Sequence, residues 1–350
     1  MYDGVVARSL LLHVDADSFF ASVVLRRRPE LVHRPMAVVA HVFIASANYP
    51  ARAFGVRGGM LAQEALALCG ELQLIDVPRE EVEQVSDQLF DIFGEDFAAV
   101  EPGSMEEAFI DSGTSDPDLA AALGQQLRAR VKRELGISVS VGVGRTKLMA
   151  KLASRTAKPD GLHVISPVDE AQLRISIPID DVWGIGGKTV EKLRLIGVIR
   201  LGDLDSRPRE EVQRVCGTTM ARKLWRIREG TDDAVIHSVE SRTSLTTEGT
   251  ISGYNRRDWN PAELMQACIA RVCRRAERAG LVATGLAVAL RAEGGEQVVL
   301  KHGLADASAS VDAWTAALLP QLVDAPKPLV GLRVTLTGLT TPDRVQPALF

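Results

Sequence analysis

Cysteine is scarce in this chain: Cys69, Cys216, Cys268 and Cys273 are the only four in 350 residues, and no two of them show metal-ligand spacing. That excludes a disulfide-stapled scaffold and argues against zinc, and the last two, five apart in a helical pattern, read as packed reduced thiols. The six histidines are scattered, and His13 lies inside an apolar run as a core residue would. No apolar run approaches the length of a membrane span, and the N-terminus lacks the charged-then-apolar order of a secretory signal. A cytoplasmic protein without a membrane partner is expected. Net positive charge is missing too, since a balance of −4 is the wrong sign for a polyanionic partner. Its distribution removes that objection. The first 120 residues carry 8 basic and 20 acidic side chains, residues 121–239 carry 21 and 14, and residues 240–350 carry 12 and 11. An acidic first part followed by a basic middle suits a protein that holds cations in one place and phosphates in another.

What the chain does contain is ample core: 46% hydrophobic against 25% charged residues, over a length that accommodates about two to four domains. Strand-like runs at Leu10–Val14, Met36–Val39, Ala108–Ile110, Ile137–Val143 and Leu162–Ile165 alternate with helical patterns at 79–93, 117–134 and 146–156. This predicts an α+β core, interrupted around Tyr49 and Arg52 by an insertion with its own helix near Leu61–Leu68. From Pro167 onward short helices alternate with glycine turns. After a polar stretch near Thr231–Ser238 the pattern reads strand 242–250, helix 261–279, strands 284–291 and 296–301, helix 308–322 and strand 329–338. A β-α-β-β-α-β order marks a compact domain.

Two of the early strands are tipped with acid: Asp15 follows Leu10–Val14, and Glu106 and Glu107 precede Ala108–Ile110. Acidic strand ends brought side by side are costly unless a cation sits between them, so they point to a divalent metal site and to phosphoryl chemistry. Solvated strand ends are the plainer alternative. Further on, Gly184 and Gly186 precede Lys188 at a predicted helix start, where backbone N–H groups can face an anion. Alone this would be a mere turn. Lys192, Arg194 and a degenerate second copy at 216–223 make a helix-hairpin-helix that grips a DNA backbone the better reading.

The segments His13-Val14-Asp15-Ala16-Asp17-Ser18-Phe19-Phe20, Ser46-Ala47-Asn48-Tyr49-Pro50-Ala51-Arg52, Ser104-Met105-Glu106-Glu107, Ser140-Val141-Gly142-Val143-Gly144 and Ala157-Lys158-Pro159-Asp160-Gly161 resemble, in order and spacing, the core of Y-family (translesion) DNA polymerases. The likeness is closest to the DinB or polymerase IV class and extends over almost the whole chain. It implies a right-hand fold: palm at 1–20 and 75–166, small fingers at 21–74, a helix-hairpin-helix thumb at 167–233, a ferredoxin-like little finger at 240–340 and a clamp-binding tail at 341–350. The implied activity is template-directed, low-fidelity addition of deoxynucleotides by two-metal transfer, in damage tolerance. Two Mg2+ ions, with Mn2+ able to substitute, are expected on Asp15, the Ala16 carbonyl, Glu106 and Glu107. Glu106 departs from the family, which carries aspartate there, and this motivates the rival reading of a catalytically silent scaffold that binds DNA and clamp.

The resemblance assigns the incoming triphosphate to Ser46, Tyr49, Arg52 and Lys158. Phe20 would pack under its sugar and exclude a 2′ hydroxyl. Phe19 stands in the same nucleotide-binding pair but reads as a core aromatic. DNA contacts fall to Gly184, Gly186, Lys188, Arg256 and Arg257. Gln346, Leu349 and Phe350 resemble the peptide that docks on the bacterial sliding clamp. Primer-template DNA, dNTP and the clamp are the expected partners of a monomer. Asp17 and Asp111 are expected to support the sheet and its loops.

Overall fold

The protein is described from a computed structural model that covers residues 9–232, 235–237, 243–255, 258–325 and 328–344. Its first part runs β1 (Leu11–Ala16), α1 (Phe19–Arg27), β2 (Met36–Ala40), β3 (Phe43–Ala47), α2 (Tyr49–Ala53), α3 (Ala62–Leu68) and β4 (Gln73–Asp76). There follow α4 (Arg79–Asp96), β5 (Val100–Pro102), β6 (Glu107–Asp111), α5 (Pro117–Leu135), β7 (Val139–Gly144), α6 (Lys147–Ala157) and β8 (Leu162–Val164). Short helices come next: α7 (Pro167–Ser176), α8 (Gly187–Leu195), α9 (Arg209–Cys216) and α10 (Thr218–Glu229). The last part is β9 (Ser244–Thr250), α11 (Pro261–Arg278), β10 (Val282–Ala292), β11 (Gln297–Ser308), α12 (Val311–Leu318) and β12 (Leu329–Thr340). Among the described residues no helix is long and apolar enough to cross a membrane.

The chain divides into two units, one within 1–26 and 80–237, the other within 27–79 and 238–350. In the first, a five-stranded sheet has the order β5-β6-β1-β7-β8, with β1 in the middle. β1 pairs antiparallel with both neighbours, which sets Asp15 opposite Glu107 on one side and Ser140 on the other. β1 and β7 are almost wholly buried, with sheet neighbours on both sides and α6 packed against them. α6 approaches β7 so closely that a Cβ at Gly142 would collide with the Ala150 carbonyl and the Ser154 amide. A second core, of Ile177, Ile179, Val182, Leu193, Leu201, Leu224 and their neighbours, holds α7 through α10 together and takes in Leu148 and Met149 of α6.

In the second unit β3-β2-β4 form a small sheet backed by α2 and α3. The later part shows the anticipated β-α-β-β-α-β sequence, with strand order β11-β10-β12-β9 and α11 and α12 packed on one core around Trp314. Asp76, at the end of β4, accepts backbone N–H bonds from Tyr254 (2.9 Å) and Asn255 (2.7 Å). The Asn255 amide donates to the Leu74 carbonyl at 3.1 Å.

Candidate active site

The acidic strand ends are side by side. Asp15 faces Glu107 in register, and the Ala16 amide donates to the Glu106 carbonyl at 3.0 Å, which ties the tip of β1 to the bend that leads into β6. Like charges opposite one another across strands repel. Here two lysines answer them: Lys158 Nζ lies 2.7 Å from Asp15 and Lys151 Nζ 2.5 Å from Glu107. Burial alone would raise the Glu107 carboxyl, but hydrogen bonds from His13 and Lys151 prevail and bring it down to about 2. Glu106 has no ion-pair partner among the described residues; burial, then the charge of Asp15, push it up to about 7.

The metal set expected from the sequence is therefore gathered at one sheet end, but not as a ready cage. Among the described residues no three carboxylate, histidine or cysteine side chains converge on a single cation position. The physical reason is that Asp15 and Glu107 are turned to lysine ammonium groups. The donor set still fits a hard divalent ion: three carboxylates and the Ala16 carbonyl offer only oxygen, and the ionisation of Glu106 is opposed first by its burial and then by the charge of Asp15, which Lys158 offsets only in part.

His13 is more than the core residue its sequence context implies. Its Nδ1 shares a 2.7 Å hydrogen bond with Ser154 Oγ, its Nε2 lies 3.4 Å from both Lys151 Nζ and Glu107 Oε2, and its ring rests 4.6 Å from that of Phe109. Burial lowers its pKa, so it meets Glu107 chiefly as a neutral ring. His13, Lys151 and Ser154 form a support for Glu107 that sequence reasoning missed. An i, i+3 pair on α6, Lys151 and Ser154, was the available signal.

Lys158 stands at the end of α6 with an extended backbone (φ −67°, ψ 136°), as the proline after it requires. Of the aromatic pair, Phe19 is 1% exposed and packs edge-on to Phe20, so it offers no surface to a nucleotide. Phe20 keeps exposed surface. Asp111 accepts from the Gly113 amide at 2.8 Å and so supports the turn after β6.

In the second unit Ser46 is buried on β3 and Tyr49 opens α2 half exposed. Arg52 lies 5.2 Å from the Tyr49 ring centroid and donates from Nε to the Ala47 carbonyl at 2.9 Å. Asn48, also missed, locks this turn: its Oδ1 caps α2 through the Ala51 amide and accepts from Met36, while its Nδ2 donates to Arg34. Among α7 to α10, Gly184 adopts φ +81° and Gly186 caps α8, with Lys188 exposed in its first turn. Gly217, at φ +82°, opens α10 with a second glycine turn into a helix. Lys223 of α10 donates to the Trp183 carbonyl at 2.8 Å, and the exposed Trp183 ring lies 5.5 Å from Phe109. Arg256 and Arg257, and the tail residues Gln346, Leu349 and Phe350, lie outside the described residues.

Comparison with known proteins agrees with this architecture. Residues 14–155 match the impB/mucB/samB family. DNA polymerase IV of Pseudomonas syringae pv. tomato is 35% identical over 246 residues, 69% of either chain. DNA polymerase IV of Ectopseudomonas mendocina is 36% identical over 247 residues, covering 69% of this chain and 70% of its own. Two solved structures share the fold over nearly their whole length. An insertion ternary complex of Dbh DNA polymerase has a TM-score of 0.71 at 22% identity, covering 95% of this chain and 99% of its own. DinB from Sulfolobus solfataricus has a TM-score of 0.67 at 21% identity, with 94% and 98% covered. With the acid-tipped strands, the paired glycine turns and relatives of this identity in hand, the chain belongs to the Y-family of DNA polymerases and is a DNA-directed DNA polymerase.

Proposed function

We propose that this polymerase extends a primer 3′ end with deoxynucleotides by two-metal transfer, at low fidelity and across damaged template. The observation that supports this reading most is that the strand ends carrying Asp15, Glu106 and Glu107 lie side by side at one end of the central sheet. Asp15, the Ala16 carbonyl, Glu106 and Glu107 would hold Mg2+, or Mn2+ in its place. Such ions, when bound, lower the pKa of the attacking 3′ hydroxyl and neutralise the departing pyrophosphate. The chain's own residues do the rest. His13 and Lys151 keep Glu107 ionised and fixed, Lys158 with Ser46, Tyr49 and Arg52 takes the triphosphate, and Phe20 closes the space beside the sugar's 2′ carbon.

We further propose that 1–20 with 75–166 act as palm, 21–74 as fingers, 167–233 as thumb and 240–340 as little finger. Gly184, Gly186 and Lys188, joined by Arg256 and Arg257, grip the DNA backbone, and the tail through Gln346, Leu349 and Phe350 docks a sliding clamp. The enzyme would work as a cytoplasmic monomer on primer-template DNA and dNTP. Asp15→Ala tests the centre of the reading. It should abolish primer extension, a loss of at least about a thousandfold, while primer-template affinity stays within about twofold. Extension near the parental rate would refute the proposed site.

A further inference from the structure

The second acid of the Asp15-Ala16-Asp17 run is 3% exposed and lies just past the end of β1, where the backbone turns through Ser18 at φ +48°. Its two carboxylate oxygens are both taken. Oδ1 accepts from Ser140 Oγ at 2.9 Å, and Oδ2 accepts from the Asp160 backbone amide at 2.8 Å. Binding a cation would sacrifice both bonds, so Asp17 is poorly placed to be a metal ligand despite its spacing from Asp15.

What Asp17 holds is the loop after α6. Asp160 takes the left-handed conformation, φ +46°, which a residue other than glycine adopts at some cost. The neighbouring Gly161 passes so near the helix that a Cβ would collide with the Ala157 carbonyl. From the outside Arg128 reaches the Asp160 carboxylate at 2.8 Å and also its carbonyl. From the inside the Asp17 carboxylate is the side chain that grips this turn. Two residues before the gripped amide stands Lys158, whose ammonium is delivered to Asp15 at 2.7 Å.

We propose that Asp17 is a positioning residue for nucleotide addition: it fixes the 158–161 loop and thereby aims Lys158 at the triphosphate. This rests on the role given to Lys158 above. A long, flexible lysine is worth most to a phosphate when its stem is fixed, and a displacement of about an ångström can cost up to a hundredfold.

The test is a double-mutant cycle on the full chain, reading KM for dNTP, kcat, primer-template Kd and thermal unfolding. Asp17→Ala should raise KM about tenfold, with kcat and primer-template Kd within about threefold. Lys158→Ala should raise KM by at least as much, and the double variant should be no worse than Lys158→Ala alone, because a residue that acts through another adds nothing once the other is gone. Asp17→Asn, which keeps an acceptor for the Asp160 amide, should recover most of the loss. If Asp17→Ala does not fold, Asp17→Ser, polar but too short to span both partners, replaces it in the cycle. Lys158→Ala without effect on KM overturns the role of Lys158 and this inference with it. A strong Lys158→Ala effect combined with an unchanged KM in Asp17→Ala, or with multiplying effects in the double variant, overturns the inference alone.

Discussion

Glu106 concentrates the residue-scale questions, because it is half-buried, lacks a cationic partner among the described residues and carries one more methylene than the aspartate of similar enzymes. Glu106→Asp should retain primer extension with Mg2+ at the parental rate or above, since the shorter carboxylate is the one this chemistry ordinarily uses; a dead variant would mean that the local backbone has adapted to glutamate. Phe20 makes a second test. Replacing it with alanine opens about a ring's volume, and ribonucleotide incorporation relative to the matched deoxynucleotide should rise by at least about tenfold. Unchanged discrimination would place the sugar gate elsewhere. Asp15, Lys158 and Phe20 could be singled out as candidates from the sequence because their motifs are local. His13, Lys151 and Asn48 could not: His13 meets Ser154 across 141 positions and Asn48 meets Arg34 across 14, so their partners appear only when strands and helices are stacked.

At the scale of elements, the contact of α6 with β7 is the tightest constraint on the sheet that carries the acids. Gly142→Ala should destabilise the protein by about 3 kcal/mol in denaturant titration, because the intruding methyl would run into the α6 backbone at Ala150 and Ser154. Gly94 offers the contrast. It lies in α4 with nothing within 4 Å of the point an added methyl would occupy, and Gly94→Ala should stabilise by about 0.5–1 kcal/mol through helix propensity alone. Most of the elements given bounds from periodicity match to within about two residues, as α5 and α11 do, whereas the short helices after Pro167 and strands β3 to β5 were left without bounds. β11 does not match. The expected strand 296–301 continues to Ser308 as the edge partner of β10, and the expected helix start at 308 moves to Val311 behind the Ser310 cap. Pairing with a long neighbour overrode the Gly303-Leu304-Ala305-Asp306 text, which in isolation reads as a break.

For the whole molecule, the charge separation along the chain and the terminal peptide lead to one experiment. Deleting residues 346–350 should leave distributive synthesis on a short primer unchanged and lower affinity for the sliding clamp by at least about tenfold in a calorimetric titration; equal binding would reduce the tail to an ordinary terminus. The order of segments could be read from motif order and composition, whereas the division into two units could not, since each unit draws on distant stretches of chain. The Asp76 clasp shows what such a division asks of individual positions. Because this carboxylate grips the main chain of Tyr254 and Asn255, the grip does not depend on the side chain at 254, where substitution is free so long as the backbone N–H remains. Proline is the one ordinary replacement that would remove it. Mutational tolerance across this contact is accordingly lopsided: Asp76 is the intolerant side and Tyr254 the permissive one, so drift at 254 can proceed without loosening the hold on β4, whereas Asn255 also holds β4 with its side chain.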